Sequence, residues 1–471
     1  MRKLKKISAL LLVMVLVFST SALMGCGNNE PAAPEPAETT DTNGEVEEDQ
    51  ADEGDAPAPA ETDQEPVTLR VTWWGNTDRD KLYAAINDLF MAEHPHVTIV
   101  TESPGWGDYW PAVATAFASG TAPDVVQFQS SQIGDYTGMN VLTPLDSFVD
   151  DGTIVLDNWN MDLVNTGVID GNLYMVTLGI TACALYVNYT LLNELGIEIW
   201  DEDEDITWEE FIDFMDMVQE AMGEGGYAIM DFSMNNDLIW IWVRQHTPAG
   251  VEWVDANGEF APTEEALAGW FELTYELRNR EAIPPLTLAH EWEQLSWPEG
   301  PFANRHVAFH FANANQINHH QGAIDDQIVM RSIPISPDGY NAHGDILITS
   351  SFAISETSEN KELAAKYINF FVNNLEAQYI FNYELGVPGS LAVQEMLAEL
   401  EDAGNIMQSN YVNRISANVL PFIPQVPGTW AVVTEIERTA DQVAMGMMTP
   451  VEAAQFIISI ATQIIAENQT R

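Results

Sequence analysis

The chain has 471 residues, with 17 basic and 72 acidic side chains and a formal net charge of −55. That balance excludes nucleic acid as a partner, because a polyanion would be repelled and no basic stripe offsets the repulsion. It also opposes non-specific adhesion to an anionic membrane. Hydrophobic residues make up 46% of the chain, enough for a substantial core, and the length suits two or three domains or one large two-lobed body.

Arg2, Lys3, Lys5 and Lys6 precede an apolar run from Ala9 to Phe18. A basic start and a short apolar core predict a secretory signal peptide over residues 1–25, its core too short for a membrane span. The tetrad Leu23-Met24-Gly25-Cys26 closes it and resembles the lipobox of bacterial lipoproteins. The resemblance implies cleavage before Cys26 and acylation of that cysteine, which would hold the protein at a lipid bilayer outside the cytoplasm.

Gly27 to Pro66 is rich in Pro, Ala, Glu, Asp and Thr and has no Lys, Arg, Phe, Trp or Tyr. Such a segment buries too little apolar surface to offset the entropy of ordering, and it is expected to act as a disordered acidic tether over residues 26–66. As a neutral coil, ~40 residues would reach roughly 35 Å, and self-repulsion would lengthen that.

From Val67 the pattern changes. Val67 to Trp74 alternates and predicts a first strand. Asp78 to His94 places Leu82, Ile86, Leu89 and Phe90 on one helical stripe, and Pro95 ends it. His96–Thr101 predicts a strand, Trp110–Ser119 a helix, and Pro123–Phe128 a third strand. A turn into a strand is expected over Gly171–Val176, and further strands at Ala184–Asn188, His306–Phe311 and Ile346–Ile354. Thr207 and Glu210 form a capping-box pair ahead of a helix, another helix covers Lys361–Asn374, and the last third is mostly helical. Alternating strands and helices predict an α/β fold with parallel pairs and crossover helices.

Cys183 stands apart from Cys26, so no intramolecular disulfide is expected, and it reads as a small buried residue. No cofactor or metal is expected either. His319-His320 lack ligand spacing, and His290-Glu291 does not open an HExxH motif.

Six segments, in order, resemble the extracellular solute-binding proteins of ABC importers, in the sugar-binding group that includes the maltodextrin-binding protein. They are Ala118–Val126, Asp170–Tyr174, Tyr186–Leu192, Thr207–Phe211, Ala353–Ser355 with Asn360–Ala365, and Met448–Ala454. The resemblance runs from about Val67 to the end. It implies the two-lobed periplasmic-binding-protein-like fold of type II, with a ligand cleft between lobes joined by hinge strands. Crossings are expected near Leu178–Thr181 and Asn341–Asp345. Lobe one would take residues 67–180 plus 345–391, and lobe two residues 181–344 plus 392–471.

The expected role is non-enzymatic. A monomer would bind a mono- or oligosaccharide and hand it to the permease subunits of an ABC transporter. A sugar offers hydroxyls and apolar faces, so aromatic rings with Asp, Asn, Gln or Arg at strand ends are the expected contacts. After the first strand these are Trp74, Asn76, Asp78 and Arg79, with Trp73 on the opposite face. The Gly-rich loop 103–109 adds Trp106 and Tyr109, and the third strand ends in Phe128, Gln129 and Ser130. Thr181 and Asp345 mark the crossings. Trp430 matches an aromatic that stacks on sugar in the maltodextrin-binding protein. Asn315, with His319 as a further candidate, stands where many relatives carry Asn-Gly-x-Trp, and that missing Trp leaves the substrate open. Alternatives are the same fold binding a polyamine or peptide, or an anchored glycoside hydrolase, which would need two opposed carboxylates.

Overall fold

The structure is a computed structural model that describes residues 65–248, 251–255, 257–419 and 425–469. The signal peptide, Cys26 and the tether up to residue 64 lie outside the described residues.

Among the described residues eleven strands form in chain order. They are β1 (Val67–Thr72), β2 (Val97–Glu102), β3 (Val125–Gln129), β4 (Val168–Ile169), β5 (Asn172–Leu173), β6 (Val176–Thr181), β7 (Cys183–Asn188), β8 (Tyr227–Ile229), β9 (Val307–Asn313), β10 (Ile328–Arg331) and β11 (Ile348–Ile354). A five-stranded sheet runs β2-β1-β3-β11-β6, and a four-stranded sheet runs β10-β7-β9-β8. In the first, β1 is parallel to β2 and β3, whereas β11 lies antiparallel to β3 and β6. β4 and β5 make a small separate ribbon.

Period-two alternation assigns each sheet two buried faces. On one face of the first sheet, Leu69, Val71 and Trp73 pack with Phe90, Tyr367 and Phe371. On the other, Val126 and Phe128 pack with Trp74, Tyr109 and Tyr136. In the second sheet Leu185 and Val187 face a core that includes Phe211, Trp270 and Ile436, while Ala184 and Tyr186 face Tyr411 and Ile415. These are the two lobes of a mixed α/β fold. β6 and β7 are separated only by Ala182 yet belong to different sheets, so the chain passes between lobes there. It returns between β10 and β11.

Local sequence explains most boundaries. Asn76 caps the Thr77–Glu93 helix by accepting from the Asp78 and Arg79 N–H groups. Thr207 and Glu210 complete a capping box at the start of the Trp208–Met222 helix. The strand expected through Val176 forms only as β5, because the positive-φ turn at Asp170-Gly171 folds it onto β4, and β6 starts afresh at Val176. A helix boundary differs too. The helix placed at Trp110–Ser119 starts at Trp106, and Pro111 sits inside it. Proline favours a first turn, which shifts the expected start toward Pro111, but it is tolerated here in the second turn at the loss of one N–H donor.

Candidate functional site

A cavity of 790 Å³ opens between Ser130 and Ser131, after β3, and the Asn236–His246 helix of the second lobe. That helix presents Asp237, Trp240 and Arg244 at i, i+3 and i+7, which a helix places on one face. Residues Ile346–Ile348 and the Ala403–Ser416 helix line other parts of the wall.

The wall holds a connected polar network. Glu252 accepts from Trp240 Nε1 at 2.8 Å and from Gln425 Nε2 at 2.6 Å, and pairs with Arg244 Nε at 3.3 Å. Burial raises the Glu252 pKa, and the Arg244 charge opposes it. Arg244 is 5% exposed, its Nη1 donates to the Asp345 carbonyl at 3.1 Å, and its Nη2 is buried without a hydrogen-bond partner among the described residues. Burial pushes Asp237 up to about 6, opposed by the Asn313 amide that donates to it at 3.3 Å. Burial pushes Asp345 up to about 7, with the Asp205 charge adding to the shift. Desolvated polar groups around a preformed cavity are what a small-molecule site requires.

The expected site residues divide. Ser130 lines the cavity, and Trp430 lines a small adjoining recess with Ser131, Asp237 and Trp240. Asp345 is buried, reaching the network through its carbonyl. Gln129 is half-buried and accepts from Ser131 Oγ at 3.4 Å.

Other candidates are engaged elsewhere. Tyr109 and Phe128 are fully buried, and Tyr109 donates to the Gln127 carbonyl at 2.7 Å, so both are core residues rather than cleft contacts. Trp74 is also core. It is 7% exposed, with Trp106, Tyr109 and Trp110 packed around its ring. Trp73 stacks on Tyr83 at 4.0 Å on the opposite face. Trp106 is the more open ring of its cluster, at 37% exposure. Asn76 is engaged as a helix cap, and the exposed Asp78 pairs with Lys81 at 2.7 Å.

Arg79, Thr181 and Asn315 belong to a brace beside the crossing. Arg79 Nε donates to Glu384 at 2.8 Å, and His319 Nε2 lies 3.3 Å from the same carboxylate. Asn315 donates its N–H to Thr181 Oγ1 at 3.1 Å and its amide to the Glu384 carbonyl at 2.9 Å.

Sequence reasoning missed Asp237, Trp240, Arg244 and Glu252. The signal for the first three was their i, i+3, i+7 spacing on one helix, Asn236–His246, which does not include Glu252.

Two lobes joined by crossing strands, with a desolvated polar cavity between them, define a solute-binding protein. The family described as bacterial extracellular solute-binding protein matches residues 74–377, and the chain belongs to it. A putative binding protein of Brucella abortus is 22% identical over 371 residues, spanning 76% of this chain and 84% of that relative. A periplasmic oligogalacturonide binding protein from Yersinia enterocolitica, in complex with saturated digalacturonic acid, superposes with a TM-score of 0.74 at 19% identity, covering 85% of this chain and 99% of that one. An ABC substrate-binding protein from Listeria monocytogenes in complex with cycloalternan gives 0.72 at 16%, covering 85% and 100%. The family and these neighbours are binding proteins. Among the described residues no helix is long and apolar enough to cross a membrane.

Proposed function

We propose that this chain is the substrate-binding subunit of an ABC importer, held on the outer face of a membrane by acylated Cys26, and that it captures a mono- or oligosaccharide between its lobes. The observation that carries the reading is the wall of the 790 Å³ cavity. It combines an indole face at Trp240, the Ser130 and Ser131 hydroxyls, and amides such as Asn410. That mixture fits the apolar faces and hydroxyls of a sugar. The sugars bound by the Yersinia and Listeria neighbours support the same class.

On this reading the lobes are residues 67–180 plus 345–391 and residues 181–344 plus 392–471. Trp430, Trp240, Ser130 and Ser131 contact ligand, and a ligand bridging the lobes favours the closed state that the permease recognises. The leader at residues 1–25 directs export, and the acidic segment 26–66 spaces the receptor from the bilayer.

Intrinsic tryptophan fluorescence, titrated with a panel of neutral, basic and acidic saccharides, tests the reading. A saturable change with at least one sugar is expected. Silence toward every sugar together with tight binding of a peptide or amino acid would overturn it.

A further inference from the structure

The Asp237 carboxylate lines the cavity from the first turn of its helix, and among the described residues no cation pairs with it. Its neighbour Asn313 donates to Asp237 Oδ2 at 3.3 Å, while Asn313 Oδ1 is buried with no hydrogen-bond partner among the described residues. Asp237 therefore meets a neutral amide and, among the described residues, no charged donor.

Arg244, on the same helical face, does not offset this charge. It is paired with Glu252 at 3.3 Å, and the buried Asp345 carboxyl lies close enough to act on it. Its free Nη2 is a donor whose charge is already balanced, which suits a hydroxyl oxygen. An ammonium group brings three donors and no acceptor, so it would satisfy Asp237. A ligand carboxylate would instead meet Asp237 with water largely excluded, and like charges there repel strongly.

We propose that the cavity selects a saccharide carrying a protonated amine, with Asp237 pairing to the ammonium and Arg244 donating to a hydroxyl. This rests on the carbohydrate reading above.

Isothermal titration at pH 7 with three probes separates the possibilities: the β-1,4-linked glucosamine trimer, its N-acetylated counterpart, and spermidine. The basic trimer is expected to bind about tenfold or more tighter than the acetylated one, since a hydrogen bond between charged groups is worth more than its neutral equivalent. Asp237→Asn should collapse that ratio toward one, and Asp237→Glu, which keeps the charge, should preserve much of it. Equal or tighter binding of the acetylated trimer overturns this inference and leaves the carbohydrate reading standing. So does failure of both trimers while another neutral sugar binds. Tight spermidine binding with no saccharide bound overturns both readings. A ratio unchanged by Asp237→Asn removes Asp237 from the role.

Discussion

The backbone N–H of Gly428 donates to Asp135 Oδ1 at 2.6 Å, tying the start of the Thr429–Ala444 helix in the second lobe to the short Ile133–Thr137 helix of the first. The lobes therefore touch directly beside the cavity. The approach is so close that a Cβ added at Gly134 would lie 1.9 Å from the Gln425 carbonyl oxygen.

Gly134→Ala should hold the lobes apart at this point. Gly134 lies in a helix, where alanine is favourable, so the first lobe itself should tolerate the change. We expect ligand affinity to fall at least ~tenfold, because a closed state made rarer lowers apparent affinity in proportion. Calorimetric titration, with scattering to follow compaction, checks this. Unchanged affinity would show that this contact is not part of closure.

Trp74 and Trp430 should part company under alanine substitution. Trp74→Ala empties a buried site and should destabilise the protein by about 3–5 kcal/mol. Trp430 is half-buried beside Asp237 and Trp240, so Trp430→Ala should chiefly weaken saccharide binding, by ~tenfold, with a smaller loss of stability. Thermal melts and titrations on both variants separate the roles.

Stability should peak on the acid side of neutrality. Burial pushes Asp345 and Glu437 each up to about 7. An acid raised in the folded state keeps its proton where the unfolded chain has lost it, so stability falls as pH rises through that window. His310 works oppositely. Burial lowers it to about 4, so the unfolded chain takes up the proton first and stability falls as pH drops below the ordinary imidazole range. Over the range these shifts share, two raised acids outweigh one lowered imidazole, which places the highest melting temperature at pH ~4–5. Asp345→Asn should flatten the decline between about pH 4 and pH 7. A melting temperature that climbs steadily to pH 8 would contradict this account.

Cys26→Ala should move the protein from the membrane fraction to the soluble fraction of cells that export it. A single acyl chain gives only marginal attachment, so a stable anchor implies more than one. Fractionation with metabolic labelling by a fatty acid reads this directly.

The sequence makes some of this legible and hides the rest for definable reasons. The Thr207–Glu210 capping box and the strand at Ala184–Asn188 follow from local pattern, whereas the crossing beside Ala182 is implied by the family resemblance. The buried Trp74 does not, because its cover, Trp106, belongs to a helix turn that Pro111 hides. The cavity residues are harder still. The Asn236–His246 helix is mostly core, including Leu238, Ile239 and Val243, so its few cavity-facing residues stand among buried ones. Which side of it meets the other lobe is decided by its packing with the helices Glu264–Asn279 and Thr429–Ala444, distant in sequence.

The central claim is that a saccharide binds in the cavity between the lobes. Calorimetric titration of the wild-type protein beside Ser131→Trp, whose indole would fill the cavity mouth, tests it most directly. The account predicts one saturable site for at least one saccharide in the wild type and none in the variant, with both proteins folded by circular dichroism. Saccharide binding that survives in Ser131→Trp, or its absence from the wild type across the whole panel, would contradict it.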